Sequence, residues 1–316
     1  MPAAPLLELQ NVTKKFGKHF VLKDITCKIY QGEIFGIIGV SGGGKTTLLN
    51  ILIGFYKHTS GDIVFNKRKH WKHITLVHKI FGFARQEGSY YPNLTVEENL
   101  RFFGRMYNMP NERIEQRMKD LLNFMGLEDA QDKLAQNLST GMQRRLDLAC
   151  ALIHEPAVLI LDEPTEDLDP TLRKEMLSLI TRVNQEEGTT IIITSHLLGE
   201  LEDICTRIAI LHEGSFVQIG STLELKESYS QNQEVHFTLK SGNYQKLLKQ
   251  LNQELISSVV TKPHQVTIYT PNGEKLLRNI LTQAGELNEE IIELALGKPS
   301  LEEVFEALTQ QRRSMK

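Results

Sequence analysis

Short apolar or alternating runs through residues 6–80 predict strands at Leu6–Val12, Asp24–Tyr30, Ile34–Ile38 and Gly61–Phe65. One helix interrupts them, Lys45–Ile53, closed by Gly54 at a position that favours left-handed backbone. Between residues 95 and 154 the apolar spacing becomes helical. Thr95-Val96-Glu97-Glu98 is a capping box that opens one helix. Ile114, Met118, Leu121, Leu122 and Met125 form the apolar stripe of the next, which Gly126 ends. Met142, Leu146, Ala149, Cys150 and Ile153 make the stripe of a third, which stops before Pro156.

Two continuous apolar strands follow, Val158–Leu161 and Thr190–Thr194. The helix between them starts at Asp169-Pro170, an N-cap with proline at the first helical position. A strand apolar on both faces has no solvent side, so such strands alternating with helices predict a buried parallel sheet. From about residue 222 alternation returns. Glu234–Leu239, Ser257–Thr261, Gln265–Tyr269 and Ile291–Leu296 read as strands, with helices over Asn243–Leu251 and Gly273–Ala284. That β-α-β-β-α-β order predicts a small ferredoxin-like α/β domain. A capped helix at Ser300-Leu301-Glu302-Glu303 closes it. The division expected is therefore 1–221 and 222–316, with a helical subdomain over about 87–155.

Composition narrows the class. A chain of 316 residues has room for one large and one small domain. Its net charge of −3 gives no reason to expect nucleic acid as a partner. The apolar runs fall well short of the ~18 residues a membrane span needs. Met1–Leu9 has neither a basic n-region nor an apolar h-region, so no secretion signal is expected. Cys27, Cys150 and Cys205 lie far apart in apolar-periodic segments and read as reduced core thiols.

The candidate chemistry starts directly after Ile34–Ile38. Gly39-Val40-Ser41-Gly42-Gly43-Gly44-Lys45-Thr46-Thr47 fits G-x-x-x-x-G-K-[ST] at every fixed position. Gly39, Gly42, Gly43 and Gly44 let the backbone curl so that successive N–H groups, with Ser41 and Thr47 beside them, surround phosphate oxygens. Lys45 reaches the β- and γ-phosphates as a mobile charge. The Thr46 hydroxyl can join a Mg²⁺ shell, and the helix opening there turns its positive end toward the anion. A strand before and a helix after meet the structural condition of the pattern, and a nucleoside triphosphate site is the expectation.

Four further segments refine it. Val158–Leu161 ends in Asp162-Glu163, placing Asp162 at the edge of a buried strand where it can hold the metal shell. Glu163, one step on, can orient or deprotonate an attacking water. Ser139, in Leu138-Ser139-Thr140-Gly141-Met142-Gln143, is an N-cap or, with Gly141, a second anion site. Gln86 stands where strands give way to the helical insert, and His196 follows the strand that ends at Thr194.

In this order the segments resemble the ATP-binding cassette (ABC) family, over roughly residues 6–220. The resemblance implies an α/β P-loop NTPase cassette: a mixed or parallel core sheet, an antiparallel β subdomain and a helical insert. It implies ATP and Mg²⁺ as ligands, with Thr46, Gln86 and Asp162 around the metal. Lys45, Gln86, Glu163 and His196 would be the catalytic set, and Asp169 would approach the nucleotide. Phe16 falls where the family stacks a ring on adenine, although a core Phe at a strand end is the alternative. Because such cassettes pack head to tail, Ser139 and Gly141 would serve a neighbouring chain's nucleotide. One set of motifs then implies a homodimer or a second cassette protein.

The stretches LSTGMQRRL (138–146) and PSLEEVFEAL (299–308) look like the cassette subunits of multidrug or daunorubicin-type exporters. Those depend on a separate membrane permease, which implies a peripheral place on the cytoplasmic face. A soluble cassette with a regulatory or assembly role is the competing reading. Thr140 and Asp167 stand where the family often has glycine, Phe16 where it has tyrosine, and Lys57-His58 where a proline is usual. Lys67–His73 is a basic segment with an aromatic, either a nucleic-acid or lipid-headgroup patch or a solvated hairpin tip. Tyr90-Tyr91-Pro92 is either a permease contact or a packed turn.

Overall fold

A computed structural model describes residues 4–66, 68, 69, 77, 79–229, 233–262 and 265–297. The chain divides into two compact units, Met1–Ser221 and Thr222–Lys316. The first unit opens with β1 (Leu7–Phe16), β2 (His19–Ile29) and β3 (Ile34–Ile38), then α1 (Lys45–Leu52). Next come β4 (Ser60–Phe65), β5 (Arg68–Lys69) and β6 (Phe81–Ala84). The helical insert holds α2 (Val96–Met106), α3 (Asn111–Met125) and α4 (Thr140–Leu152). The chain returns through β7 (Val158–Asp162), α5 (Pro170–Glu187), β8 (Thr190–Ser195) and α6 (Leu198–Glu202). β9 (Arg207–His212) and β10 (Ser215–Gly220) complete the unit.

Two sheets share its core. One is antiparallel, in the order β2-β1-β4-β5. The other runs β10-β9-β3-β8-β7-β6 and is parallel except for the pairing of β9 with β10. β3, β7 and β8 are buried at every residue, as their unbroken apolar runs require. Leu48, Leu49, Ile51 and Leu52 of α1 pack in one cluster with Leu7 and Leu9 of β1 and Phe35 of β3. That cluster holds the start of α1 against the end of β3, where the phosphate loop lies.

The sequence reading needs extension in places. β1 runs on to Phe16 and β2 begins at His19, because the hairpin between them pairs residues more polar than an alternation rule selects. β6, β9 and β10 were not expected. The expected helix starts hold: Thr95 accepts from the Glu98 amide (3.1 Å) while the Thr95 amide donates to Glu98 (2.9 Å).

The second unit begins with α7 (Thr222–Tyr229) and continues as β11 (Gln233–Leu239), α8 (Tyr244–Gln250), β12 (Ser258–Lys262), β13 (Gln265–Thr270), α9 (Gly273–Glu286) and β14 (Ile291–Gly297). The sheet order is β12-β13-β11-β14 with every neighbouring pair antiparallel, the ferredoxin-like arrangement expected from the element order. Val235, Phe237, Leu247, Ile268, Leu276 and Ile280 form its own buried core. The expected helix at Ser300–Glu303, the exporter-like stretch 299–308 and most of the basic segment Lys67–His73 lie outside the described residues. Among the described residues no helix is long and apolar enough to cross a membrane.

Candidate active site

β3 delivers the chain to Gly39, which passes so close to β9 that a Cβ there would sit 2.5 Å from the Leu211 carbonyl oxygen. The loop then turns, with the Gly43 amide donating to the Val40 carbonyl at 3.1 Å. Gly44 has φ +105° at the cap of α1, a conformation that disfavours any side chain. No side chain caps α1, so its opening amides are left to an anion. Lys45 is buried and curls back over the loop, donating to the carbonyls of Gly39 (2.8 Å) and Val40 (3.4 Å). Ser41 and Thr46 are exposed, Thr47 half-buried.

The acids after β7 meet this loop. Glu163 Oε1 lies 3.0 Å from Lys45 Nζ, and Oε2 lies 2.5 Å from His196 Nδ1. The His196 amide also donates to Oε2 at 3.2 Å. Burial pushes the Glu163 carboxyl up, but the His196 hydrogen bond and the Lys45 charge outweigh it, and the net shift is below the usual range. Glu163 is therefore held as a carboxylate, although it is buried and at φ +51°. Asp162 is buried beside it and accepts from the Thr194 hydroxyl at 2.6 Å. The same hydroxyl accepts from the Glu163 amide at 3.1 Å. Thr194 thus fixes both acids, a role that sequence reasoning missed because the residue only looked like the end of an apolar strand.

Gln86 is exposed just beyond β6, and its side-chain amide donates to the Glu166 carboxylate. Arg144 of α4 donates to the Gln86 carbonyl (2.5 Å) and to the Glu166 carbonyl (3.5 Å). One turn further along α4, the buried Asp147 accepts from the Ser89 amide at 2.6 Å. Glu166, Arg144 and Asp147 were not singled out from the sequence. Their partners lie 80, 58 and 58 residues away, so no local signal marks them.

A cleft of about 350 Å³ opens between these segments. Ser41, Gly42, Gly44, Lys45, Thr46 and Thr47 line one wall, and Gln86, Glu163 and His196 the other. Val21 and Glu166, both unexpected, complete it. Gly39, Gly43 and Asp162 do not line it; Gly39 and Asp162 are buried and Gly43 is half-buried. Phe16 stands outside it at the end of β1, edge-on to Tyr56 (5.4 Å) with Lys14 Nζ 4.6 Å above its ring. Ser139 caps α4 by accepting from the Met142 amide (3.3 Å), and Gly141 is buried where a Cβ would lie 3.0 Å from Leu172. Asp169 caps α5 through the amides of Thr171 (2.9 Å) and Leu172 (3.1 Å). None of these three borders the chain's own cleft. Asp167 sits exposed at φ +62°, a left-handed conformation that glycine adopts freely and aspartate tolerates.

The family described as ABC transporter matches residues 22–166. The linearmycin resistance ATP-binding protein LnrL of Bacillus subtilis (strain 168) is 32% identical over 310 residues, covering 96% of this chain and 98% of that protein. The Nod factor export ATP-binding protein I of Rhizobium sp. (strain N33) is 33% identical and covers 96% of each chain. The methionine import ATP-binding protein MetN of Clostridioides difficile (strain 630) is 34% identical but covers 70% of each. Among solved structures, the dimeric ATP-binding cassette MJ0796 in a post-hydrolysis state with ADP and Pi superposes with a TM-score of 0.61 at 28% identity, covering 68% of this chain and 98% of that one.

Proposed function

This chain belongs to the ABC transporter family, and on that premise we propose that it is the ATPase subunit of an exporter. It works as one of two facing cassettes beside a separate membrane permease, on the cytoplasmic side of the membrane. Nucleotide binding and ATP hydrolysis are properties of the family.

Lys45 leaves Glu163 for the β- and γ-phosphates when ATP enters, since a phosphate competes for the same cation at the same spot. Glu163 remains held by the ring and amide of His196, so its free oxygen faces the cleft as an acceptor. It takes a proton from the water that attacks the γ-phosphorus in line, and His196 holds its position against the phosphate. Amides of the loop and of the opening of α1 stabilise the charge that spreads over the transferring group.

Thr46, Asp162 and the Gln86 amide oxygen make an all-oxygen donor set, which fits Mg²⁺. Held there by these residues, Mg²⁺ would supply positive charge that offsets the charge of the phosphates. Ser139 and Gly141 lie away from their own chain's cleft, which supports their serving a facing cassette. Pro92 follows the exposed Tyr91, whose amide donates to Asn99 and whose ring packs edge-on to Phe102 (4.6 Å). A packed turn with one open ring is compatible with both readings of that segment.

The observation that carries the export reading is the extent of the matches. Relatives named for linearmycin resistance and for export are alike over 96% of the chain and so through the second unit, whereas the import relative covers 70% and a further export relative 72%. The test is to capture the permease from detergent-solubilised membranes with the Glu163→Gln chain and Mg-ATP, then reconstitute that permease with the wild-type chain in liposomes. ATP on the cassette face should drive substrate away from that face. Transport toward it overturns export, and capture of no membrane protein by an ATP-bound chain overturns the transporter assignment.

A further inference from the structure

Gln86 is joined to the segment after Glu163 more firmly than an exposed loop residue needs to be. Its amide meets the Glu166 carboxylate, and both backbone carbonyls, of Gln86 and of Glu166, receive the guanidinium of Arg144. Glu166 is itself rigid: its amide closes a turn onto the Glu163 carbonyl at 3.1 Å. Glu166 also lines the cleft, an acid placed where the ligand is anionic. Such a placement costs affinity for phosphate unless the carboxylate has another use.

The chemistry of the pair supplies that use. An ionised carboxylate only accepts hydrogen bonds, so whichever way an amide is drawn, its NH₂ end must face the acid. The carbonyl Oε1 is then the end of Gln86 left for the cleft. We propose that Glu166 is a positioning residue for Gln86: it fixes the amide so that oxygen, and not nitrogen, is presented to the metal and the attacking water. Without Glu166 the amide has two orientations of similar energy, and one of them aims NH₂ at a cation. Arg144 holds the two main chains at the separation the contact needs, which ties the orientation to the helix that starts at Ser139. The inference rests on the assignment of Gln86 to the metal end of the cleft.

A double-mutant cycle with calorimetry tests it. Glu166→Leu should lower kcat about tenfold, the worth of one hydrogen bond to a charged group. ATP affinity measured in EDTA should not fall, while the gain in affinity on adding Mg²⁺ should shrink. Glu166→Gln, which still offers an acceptor, should recover most of the loss. Glu166→Lys, a donor that draws the amide oxygen away from the cleft, should not. In a Gln86→Ala background Glu166→Leu should change kcat less than about twofold, because its only route of action has gone. An undiminished tenfold loss in that background overturns the inference while leaving Gln86 in place. A silent Gln86→Ala overturns the assignment of Gln86 itself. Faster hydrolysis by Glu166→Leu would show a restraint on Gln86, the opposite of the role proposed.

Discussion

Lys45 Nζ and Glu163 Oε1 lie 3.0 Å apart, so the cation proposed to meet phosphate and the carboxylate proposed to meet water neutralise each other within one buried pair. Neither charge is stable there alone, since an unpaired buried ion carries a large desolvation cost. In the proposed mechanism ATP binding exchanges one partner of the pair for a phosphate. The carboxylate keeps His196, which is why it need not take up a proton when the lysine departs.

From this pairing, Glu163→Gln and Lys45→Ala should separate cleanly. Glu163→Gln removes the competitor for Lys45, so ATP should bind at least as tightly as to the wild type. Hydrolysis should fall at least about 100-fold, the usual contribution of a general base. Lys45→Ala should lose nucleotide binding first. Calorimetry with ATP and phosphate release measure the two effects; a Glu163→Gln chain that turns over at the wild-type rate would remove Glu163 from the mechanism.

His196 should also be visible in the acid limb of stability. The folded Glu163 carboxyl lies below its ordinary value, so its ionised pairing stabilises the fold above that value. The contribution is lost as pH falls through the folded pKa. His196→Ala removes the largest of the effects that lower it. The urea midpoint of that variant should therefore be lower at neutral pH and fall less on acidification below about pH 5 than that of the wild type. An unchanged acid limb would mean that the ring does not hold the carboxylate.

Asp147 should have the opposite sign. Burial pushes its carboxyl up to about 6, against the lowering influence of the Ser89 amide, Arg144 and Arg85. Tyr90 faces the same carboxylate, which raises the tyrosine's own pKa after burial has done so. A raised folded pKa makes stability greatest below the ordinary value of 3.8 and erodes it as pH climbs to about 6. Asp147→Asn keeps an acceptor for Ser89 and removes the charge. Above pH 6 it should stabilise the first unit by up to about 3 kcal/mol, measured by chemical denaturation. A destabilised variant would show that the charge itself anchors the Gln86 loop.

The phosphate loop and the acids after β7 were legible because each rests on local spacing: a strand, a fixed run of residues and a helix start. The same holds for the caps at Thr95, Ser139 and Asp169. What escaped is long-range. Phe81–Ala84 is four residues long and contains Gly82, whose Cβ would lie 2.2 Å from the Ala151 carbonyl oxygen, so β6 exists through packing against α4 rather than through propensity. β10 is half-buried along most of its length and shows neither full apolarity nor clean alternation. Glu166 reads as a surface acid until the fold brings Gln86 to it. Phe16 was placed at the nucleotide by resemblance, and its ring packs on Tyr56 and under Lys14 beyond the cleft lining.

The second unit should fail on its own. Phe237 is fully buried in the core of that unit and packs edge-on to Tyr244. Phe237→Ala should cost about 3–5 kcal/mol there. ATP affinity should be unchanged, because every residue lining the cleft belongs to the first unit. Hydrogen exchange resolves the two units in one experiment. Loss of protection in β3 and β7 alongside β11 would contradict two separately stabilised units.

Whether the active site is shared between chains can be decided by complementation. Ser139 caps its own helix and borders no part of its own cleft, so Ser139→Ala should cost about 1 kcal/mol of stability through the cap and leave ATP binding intact. Its effect on hydrolysis then has to come through a facing chain. Lys45→Ala and Ser139→Ala chains should each be nearly inactive alone. Mixed, they form dimers in which one site is doubly damaged and the other joins an intact loop to an intact serine. Random pairing of equal amounts makes half the dimers mixed, with one working site in two, so about a quarter of wild-type activity should return. Activity that stays at the level of the separate variants, in a mixture shown by sizing to contain dimers, would place Ser139 outside a shared site. The head-to-tail arrangement would fall with it.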